Sequence, residues 1–141
     1  MKMIGVVGGV GPFAGLDLTS KIFSQTLATR DQEHLPVALL SLPSQIDDRT
    51  EYLLGRAKTN PAHPVGEIIL QLEQMGASVV GIPCNTMHAP AIFDVIRDNL
   101  QKRGSKVVLL HMIEEVVAFI QHHYPRMHRI GILSTMGTWR S

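Results

Sequence analysis

The sequence predicts an α/β fold, a doubly wound and mainly parallel sheet flanked by helices. Three observations lead to this class. Short apolar runs recur along the 141 residues without polar alternation, which is typical of strands buried on both faces of a parallel sheet. Segments with apolar residues at helical spacing separate these runs. The connections between them are short, and this strand–helix alternation favours right-handed crossovers.

The first predicted unit is a strand, a glycine turn and a helix. The run MIGVV at residues 3–7 is rich in β-branched residues and stops at Gly8 and Gly9. The stretch FAGLDLTSKIFSQTLA that follows spaces its large apolar residues at helical intervals.

The rest of the chain continues the alternation. Further strands are predicted at VALLSL (37–42), SVVGIP (78–83), KVVLLHM (106–112) and RIGIL (129–133), and helices at residues 64–75, 87–102 and 113–123. The stretch GRAKTNPAHP at residues 55–64 is rich in turn formers and is predicted to be a loop, which could act as a mobile flap.

Composition favours a protein that recognises a small ligand. Lysine and arginine number 13 and aspartate and glutamate 12, a net charge of +1, so we expect no general attraction to nucleic acid or to an anionic membrane. One cysteine cannot form an internal disulfide, which fits a reducing compartment and makes the cytoplasm the expected location. The histidine and cysteine spacings match no metal-site pattern, and we expect no metal.

The only cysteine, Cys84, stands at the predicted ligand edge of the sheet. In doubly wound sheets, ligands bind outside the carboxyl ends of the strands, and Cys84 follows the third strand there and precedes a helix. Free N–H groups at a helix start favour a thiolate, and they would let Asn85 and Thr86 hold a carboxylate. The alternative is that Cys84 is a small buried hydrophobic residue, the usual state of a free cysteine.

Two further residues stand at the same edge. Arg49 follows the second strand, and its guanidinium could bind a carboxylate through two parallel hydrogen bonds. A structural ion pair with a neighbouring aspartate or glutamate is an equally good interpretation. His88, four residues after Cys84, could orient or protonate a ligand group, or it could be a partly buried capping histidine.

The glycine turn after the first strand matches the letters of a dinucleotide-binding fingerprint, Gly9-x-Gly11-x-x-Ala14. Pro12 within the turn and the lack of an acidic residue at the end of the second strand count against nucleotide binding. A glycine turn lets any anionic ligand approach the backbone closely. A tight turn without a ligand is the alternative.

Six motifs together resemble the aspartate/glutamate racemase superfamily, most closely the aspartate racemases. The resemblance runs the length of the chain, and several motifs in one order are more specific than any single motif. They are GGVGPFAG (8–15), RDQEH (30–34), DRTEYLLG (48–55), PCNTMH (83–88), MIEE (112–115) and GILSTMGT (131–138).

The resemblance implies cofactor-independent racemisation or epimerisation of an acidic amino acid, aspartate or possibly glutamate. Two cysteines face each other across the substrate; one thiolate removes the α-proton and the other thiol returns a proton to the opposite face. By position, Cys84 is one of these bases and Arg49 recognises the side-chain carboxylate. The remaining substrate-binding positions implied by the resemblance are Gly9, Val10, Gly11, Asn85 and Thr86.

The chain departs from the family in having a single cysteine. The resemblance implies two similar lobes with the active site between them: here residues 1–113 would form the first lobe, and residues 114–141 a connecting helix and the first strand of a second. We therefore expect a truncated racemase that exposes apolar surface, forms a homodimer and has little activity alone. The alternatives are a non-catalytic carboxylate-binding or oligomerising lobe and a nucleotide-binding α/β domain.

Overall fold

Parallel strands form the centre of the fold in a computed structural model that describes residues 2–139. The strands are β1 (Met3–Gly8), β2 (Val37–Ser41), β3 (Ala77–Gly81) and β4 (Val108–Leu109). Their order is β2-β1-β3-β4, and every pairing is parallel. The chain therefore winds outward from β1 in both directions, which confirms the predicted α/β class.

Helices and single turns connect the strands. The helices are α1 (Pro12–Gln25), α2 (Arg49–Leu53), α3 (Ala62–Gln74), α4 (Pro90–Lys102), α5 (Met112–His123) and α6 (Met136–Trp139). Three 3₁₀ turns occupy Asp31–Glu33, Pro43–Gln45 and Asn85–His88. Asp48 caps α2 by accepting a 2.9 Å hydrogen bond from the Glu51 N–H, so a helix of only five residues begins at a defined position.

The core lies between the sheet and the pair α3 and α4. Helix α3 buries Val65, Ile68, Ile69 and Leu72 completely, a spacing of three, four and seven residues that places them on one face. Helix α4 adds Ile92 and Ile96, and Val7 and Val80 meet them from the strands. This face supplies most of the hydrophobic stabilisation of the fold.

The opposite face of the sheet is covered incompletely. Helix α1 buries only Gly15, and α5 buries none of its residues. Between them an apolar groove of about 290 Å³ remains open over β1 and β3. No helix within residues 2–139 has the length and apolar character to cross a membrane.

The predicted strand at residues 129–133 does not form. Residues 127–135 have no regular secondary structure, and Ile132 and Leu133 are 82% and 100% exposed. A strand needs a neighbour to satisfy its N–H and C=O groups, and within residues 2–139 this segment has none. The division into lobes at residue 113 stays a prediction; Met1, Arg140 and Ser141 lie outside the described residues.

The loop predicted as a flap is anchored at its C-terminal end. The Asn60 side chain donates to the Tyr52 hydroxyl at 2.9 Å and to the Ala91 carbonyl at 3.0 Å. Its carbonyl oxygen accepts from the Ala62 N–H at 2.9 Å. Helix α3 therefore begins at Ala62, two residues earlier than predicted.

The glycine turn after β1 is fixed by contact with the end of β2. Gly9 has a φ of +86°, which side-chain-bearing residues adopt only at a cost. A Cβ at this position would lie 2.9 Å from the Pro43 nitrogen. Both the conformation and the close approach of the two segments therefore require glycine.

We expect Gly9→Ala to destabilise the protein more than Gly104→Ala. Both positions have positive φ, at +86° and +70°, but a Cβ at Gly104 would meet nothing within 4 Å. The extra loss at Gly9, from forced backbone movement, should be about 1–3 kcal/mol. Urea unfolding of the two variants measures this difference, and equal losses would contradict the contact-based explanation.

Candidate active site

A cleft of about 530 Å³ opens at the carboxyl edge of the sheet. One wall is the start of α2, a second is the segment after β3, and the third is the segment that leads into α6. The first two, which carry Arg49 and Cys84, are segments that the sequence predicted at the ligand edge. The lining residues are Arg49, Thr50, Cys84, Asn85, Thr86, Leu133, Ser134, Thr135 and Thr138.

Cys84 reaches the cleft from a tightly bonded main chain. Its N–H donates to the Ile82 carbonyl at 2.8 Å, and its carbonyl accepts from the Met87 N–H at 3.2 Å. The same carbonyl oxygen lies 2.8 Å from Nδ1 of His88. The side chain is half-buried and packs against the edge of the hydrophobic core, so the residue is neither fully buried, as in the alternative interpretation, nor fully exposed.

The helix start predicted beside Cys84 is wrong. Cys84 precedes a single 3₁₀ turn, Asn85–His88, and α4 begins only at Pro90. Proline disfavours helical conformation in the residue before it, and Ala89 is accordingly extended, with φ −59° and ψ 135°. Because the effect of a helix dipole falls off within a turn, α4 gives a thiolate at Cys84 little support.

Arg49 lines the cleft and has no hydrogen-bond or ion-pair partner among residues 2–139. Its Nε is buried and has no hydrogen-bond partner, and within residues 2–139 no carboxylate lies in ion-pair range of its guanidinium. Glu51 instead pairs with Arg56 at 3.3 Å. The alternative of a structural ion pair is therefore not observed. A buried donor without a partner costs free energy, and a bound carboxylate would satisfy it.

Hydroxyl groups form much of the remaining lining. Thr86 Oγ1 lies 3.1 Å from Thr138 Oγ1, and Thr135 Oγ1 lies 3.4 Å from the same atom. Helix α6 reaches this position by packing on α2, where a Cβ on Gly137 would lie 2.5 Å from Thr50 Oγ1. This contact brings the third wall to the cleft.

Sequence reasoning did not include Thr50, Thr135 and Thr138 among the site residues. The available signal was the motif GILSTMGT, which contributed to the family resemblance but was assigned no role. By contrast, Gly9, Val10 and Gly11 do not line the cleft. Val10 is buried in the core, so the predicted substrate contacts of this turn stay a prediction.

His88 is outside the cleft lining and only 5% of the residue is exposed. It stacks on Phe93 with centroids 5.0 Å apart and meets His111 edge-on at 4.8 Å. Burial lowers the pKa of His88, and His111 reinforces this effect; the backbone carbonyls of Cys84 and Leu110 and the Glu114 carboxylate oppose it. Since a carbonyl can only accept, the neutral ring carries its hydrogen on Nδ1. Within residues 2–139, no group of three metal-binding side chains converges here or elsewhere.

The chain is similar to known racemases in sequence and in structure. The family model described as Asp/Glu/Hydantoin racemase matches residues 7–141. The aspartate racemase of Picrophilus torridus is 28% identical, with a TM-score of 0.73 over 88% of this chain and 49% of its own. An aspartate racemase homologue from Pyrococcus horikoshii OT3 is 21% identical, with a TM-score of 0.66 over 88% of this chain and 50% of its own. The chain thus spans about half the length of both.

Succinate, a small dicarboxylate, tests whether Arg49 binds a carboxylate in the cleft. We expect Arg49→Gln to weaken its binding at least about tenfold, because hydrogen bonds between charged groups contribute about 1.5–3 kcal/mol. The melting temperature should not fall, since Arg49 has no partner to lose in the part of the chain that the structure describes. Arg49→Lys, which keeps the charge without the planar fork, should bind with intermediate affinity. Calorimetric titration and thermal unfolding measure both quantities.

Arg56→Gln is the matched control, because Arg56 belongs to the same segment but pairs with Glu51 outside the cleft lining. It should leave succinate affinity unchanged. Unchanged affinity in Arg49→Gln together with a large drop in melting temperature would assign Arg49 a structural role instead.

We expect the free energy of unfolding to fall with pH partly through His88. Its folded-state pKa is lowered, so below about pH 6.5, the ordinary histidine value, the unfolded chain binds more protons than the folded chain. The contribution of the neutral His88 ring to the free energy of unfolding is therefore complete above that pH. It is lost as the pH falls from there to the folded-state pKa. Replacing His88 with phenylalanine should make this decline shallower.

Urea unfolding at several pH values between about 5 and 7.5 measures the slope. His128→Phe replaces an exposed histidine and should leave the slope as in the wild type. Equal slopes in the wild type and His88→Phe would show that the buried ring does not resist protonation.

Proposed function

The chain belongs to the Asp/Glu/hydantoin racemase family, and we propose that it supplies the Cys84-bearing half of a cofactor-independent racemase for an acidic amino acid. The observation that carries the proposal is the presence of a thiol and an unpaired guanidinium in one cleft, Cys84 and Arg49. A base beside a carboxylate-binding group is what proton transfer at the α-carbon of a dicarboxylic amino acid requires.

In the proposed reaction, the Cys84 thiolate takes the α-proton, and the electron pair of the broken C–H bond moves toward the α-carboxylate. Asn85 and Thr86 bind this carboxylate and stabilise the developing charge. Arg49 holds the distal carboxylate and selects for aspartate or glutamate over neutral amino acids. A proton delivered to the opposite face of the α-carbon then gives the mirror-image product.

A two-cysteine mechanism takes its second acid, a thiol, from outside these 141 residues, because Cys84 is the only cysteine. A single thiol returns the proton to the face from which it came and does not invert the centre. In family terms, the second acid would come from a facing lobe that also excludes water, which strengthens the electrostatic interactions in the site.

A second candidate function is carboxylate binding without catalysis. The unpaired Arg49 and the hydroxyl-rich lining favour it, since neither needs a thiol on the opposite face. Nucleotide binding has less support: the backbone at Pro43 occupies the space beside Gly9, which accounts for the glycine without a phosphate.

We expect L-aspartate to slow alkylation of Cys84 by iodoacetamide, and L-alanine to have little effect, because alanine lacks the carboxylate that Arg49 would bind. In deuterium oxide, L-aspartate should acquire α-deuterium in a Cys84-dependent reaction without formation of D-aspartate. Mass spectrometry, proton NMR and chiral chromatography measure these outcomes.

Cys84→Ala is the control for exchange and Arg49→Gln for protection. Protection without Cys84-dependent exchange would favour the binding function over the racemase half. D-aspartate formation that disappears in Cys84→Ala would contradict the requirement for an outside acid. Equal protection by alanine and aspartate would contradict acidic-substrate recognition altogether.

A further inference from the structure

We propose that His88 is a positioning residue for Cys84, whose carbonyl it holds so that the thiol points into the cleft. The inference rests on the proposed function for its purpose, since only a reactive thiol needs a fixed direction. It assigns His88 an indirect role, because the ring does not line the cleft.

The hydrogen bond to the Cys84 carbonyl is the first evidence. His88 Nδ1 lies 2.8 Å from this oxygen, closer than the Met87 N–H at 3.2 Å. The side chain of His88 therefore adds a donor to the turn's own backbone bond. Cys84 has a ψ of 114°, and holding its carbonyl restricts that angle and the orientation of the residue.

The packing of the His88 ring is the second piece of evidence. Phe93 belongs to α4 and His111 precedes α5, so two separate helical segments hold the imidazole. Because these segments fix the ring, the hydrogen bond from the ring also fixes the main chain of Cys84. The Cys84–His88 bond spans four residues, but the contacts that orient its donor come from residues farther along the chain.

The third piece of evidence is the other ring nitrogen, Nε2. His88 Nε2 is buried and makes no hydrogen bond of normal geometry, although the Leu110 carbonyl is near enough to the ring to raise its pKa. In the neutral ring with its hydrogen on Nδ1, Nε2 is an acceptor that a carbonyl cannot satisfy, an arrangement that costs free energy. An apolar ring of similar shape would keep the stacking on Phe93 and avoid this cost. The property that such a ring would lack is the Nδ1 donor, which points to the bond with Cys84 as the reason for histidine.

Thiol reactivity toward two alkylating reagents tests the proposal on the chain as it exists. Iodoacetate and iodoacetamide differ in a carboxylate that Arg49 can bind, and both react with the same thiolate. The ratio of their rate constants therefore cancels the ionised fraction of Cys84. The ratio measures whether Arg49 can bind the carboxylate of iodoacetate while the Cys84 thiolate attacks the same molecule. If His88 only stabilised the fold, replacing it would not change this ratio.

We expect the ratio in the wild type to exceed that of N-acetylcysteine at least about tenfold, the effect of a hydrogen bond between charged groups. In His88→Phe, which keeps a ring but no donor, it should fall by about tenfold or more, since positional errors near 1 Å can cost about a hundredfold in rate. In His88→Asn, whose amide nitrogen can take the place of Nδ1, it should stay within about threefold of the wild type. His88→Gln, whose amide reaches farther, serves in place of His88→Phe if that variant does not fold.

An unchanged ratio in folded His88→Phe or His88→Gln would overturn the proposal, as would equal losses in the asparagine and phenylalanine variants. A wild-type ratio no higher than that of N-acetylcysteine would contradict the joint Arg49–Cys84 site of the proposed function instead. In that case the rate with iodoacetamide alone decides the role of His88: a change in His88→Phe that His88→Asn restores supports it, and no change refutes it.

Discussion

Parallel pairing of β1 with both β2 and β3 is the constraint on which the rest of the structure depends. Strands that run in one direction deliver their carboxyl ends to one edge, so segments far apart in sequence meet there. Arg49 arrives after β2 and Cys84 after β3. The core of α3 and α4 holds the strands from one face, and the cleft is assembled from loops on this rigid support.

Much of the architecture follows from local sequence signals. The four strands are short apolar runs whose neighbours are helical, and this pattern alone determines the parallel class. The meeting of Arg49, Cys84, Asn85 and Thr86 also follows, because their positions after strands place them at one edge. Their roles toward a substrate stay predictions.

The features that sequence reasoning missed depend on tertiary contacts or on neighbouring residues. Residues 129–133 have the composition of a strand, but composition cannot supply a pairing partner. The helix expected beside Cys84 is interrupted because Pro90 disfavours helical conformation in Ala89, the residue before it. Apolar spacing alone does not show this effect. Thr50 and Thr138 join the cleft through the packing of α6 on α2, and helices this short show no periodicity.

The irregular segment at residues 127–135 gives the cleft walls unequal local stability. Two walls continue directly from strands or a capped helix, whereas the third is tied to the body mainly through the contact of α6 with α2 and through threonine hydroxyls. Local opening in proteins begins where few buried apolar contacts hold a segment. The affinity of a ligand that touches all three walls would therefore depend on how often the third wall is closed. Binding of such a ligand should slow amide hydrogen exchange in residues 127–135 more than in the sheet.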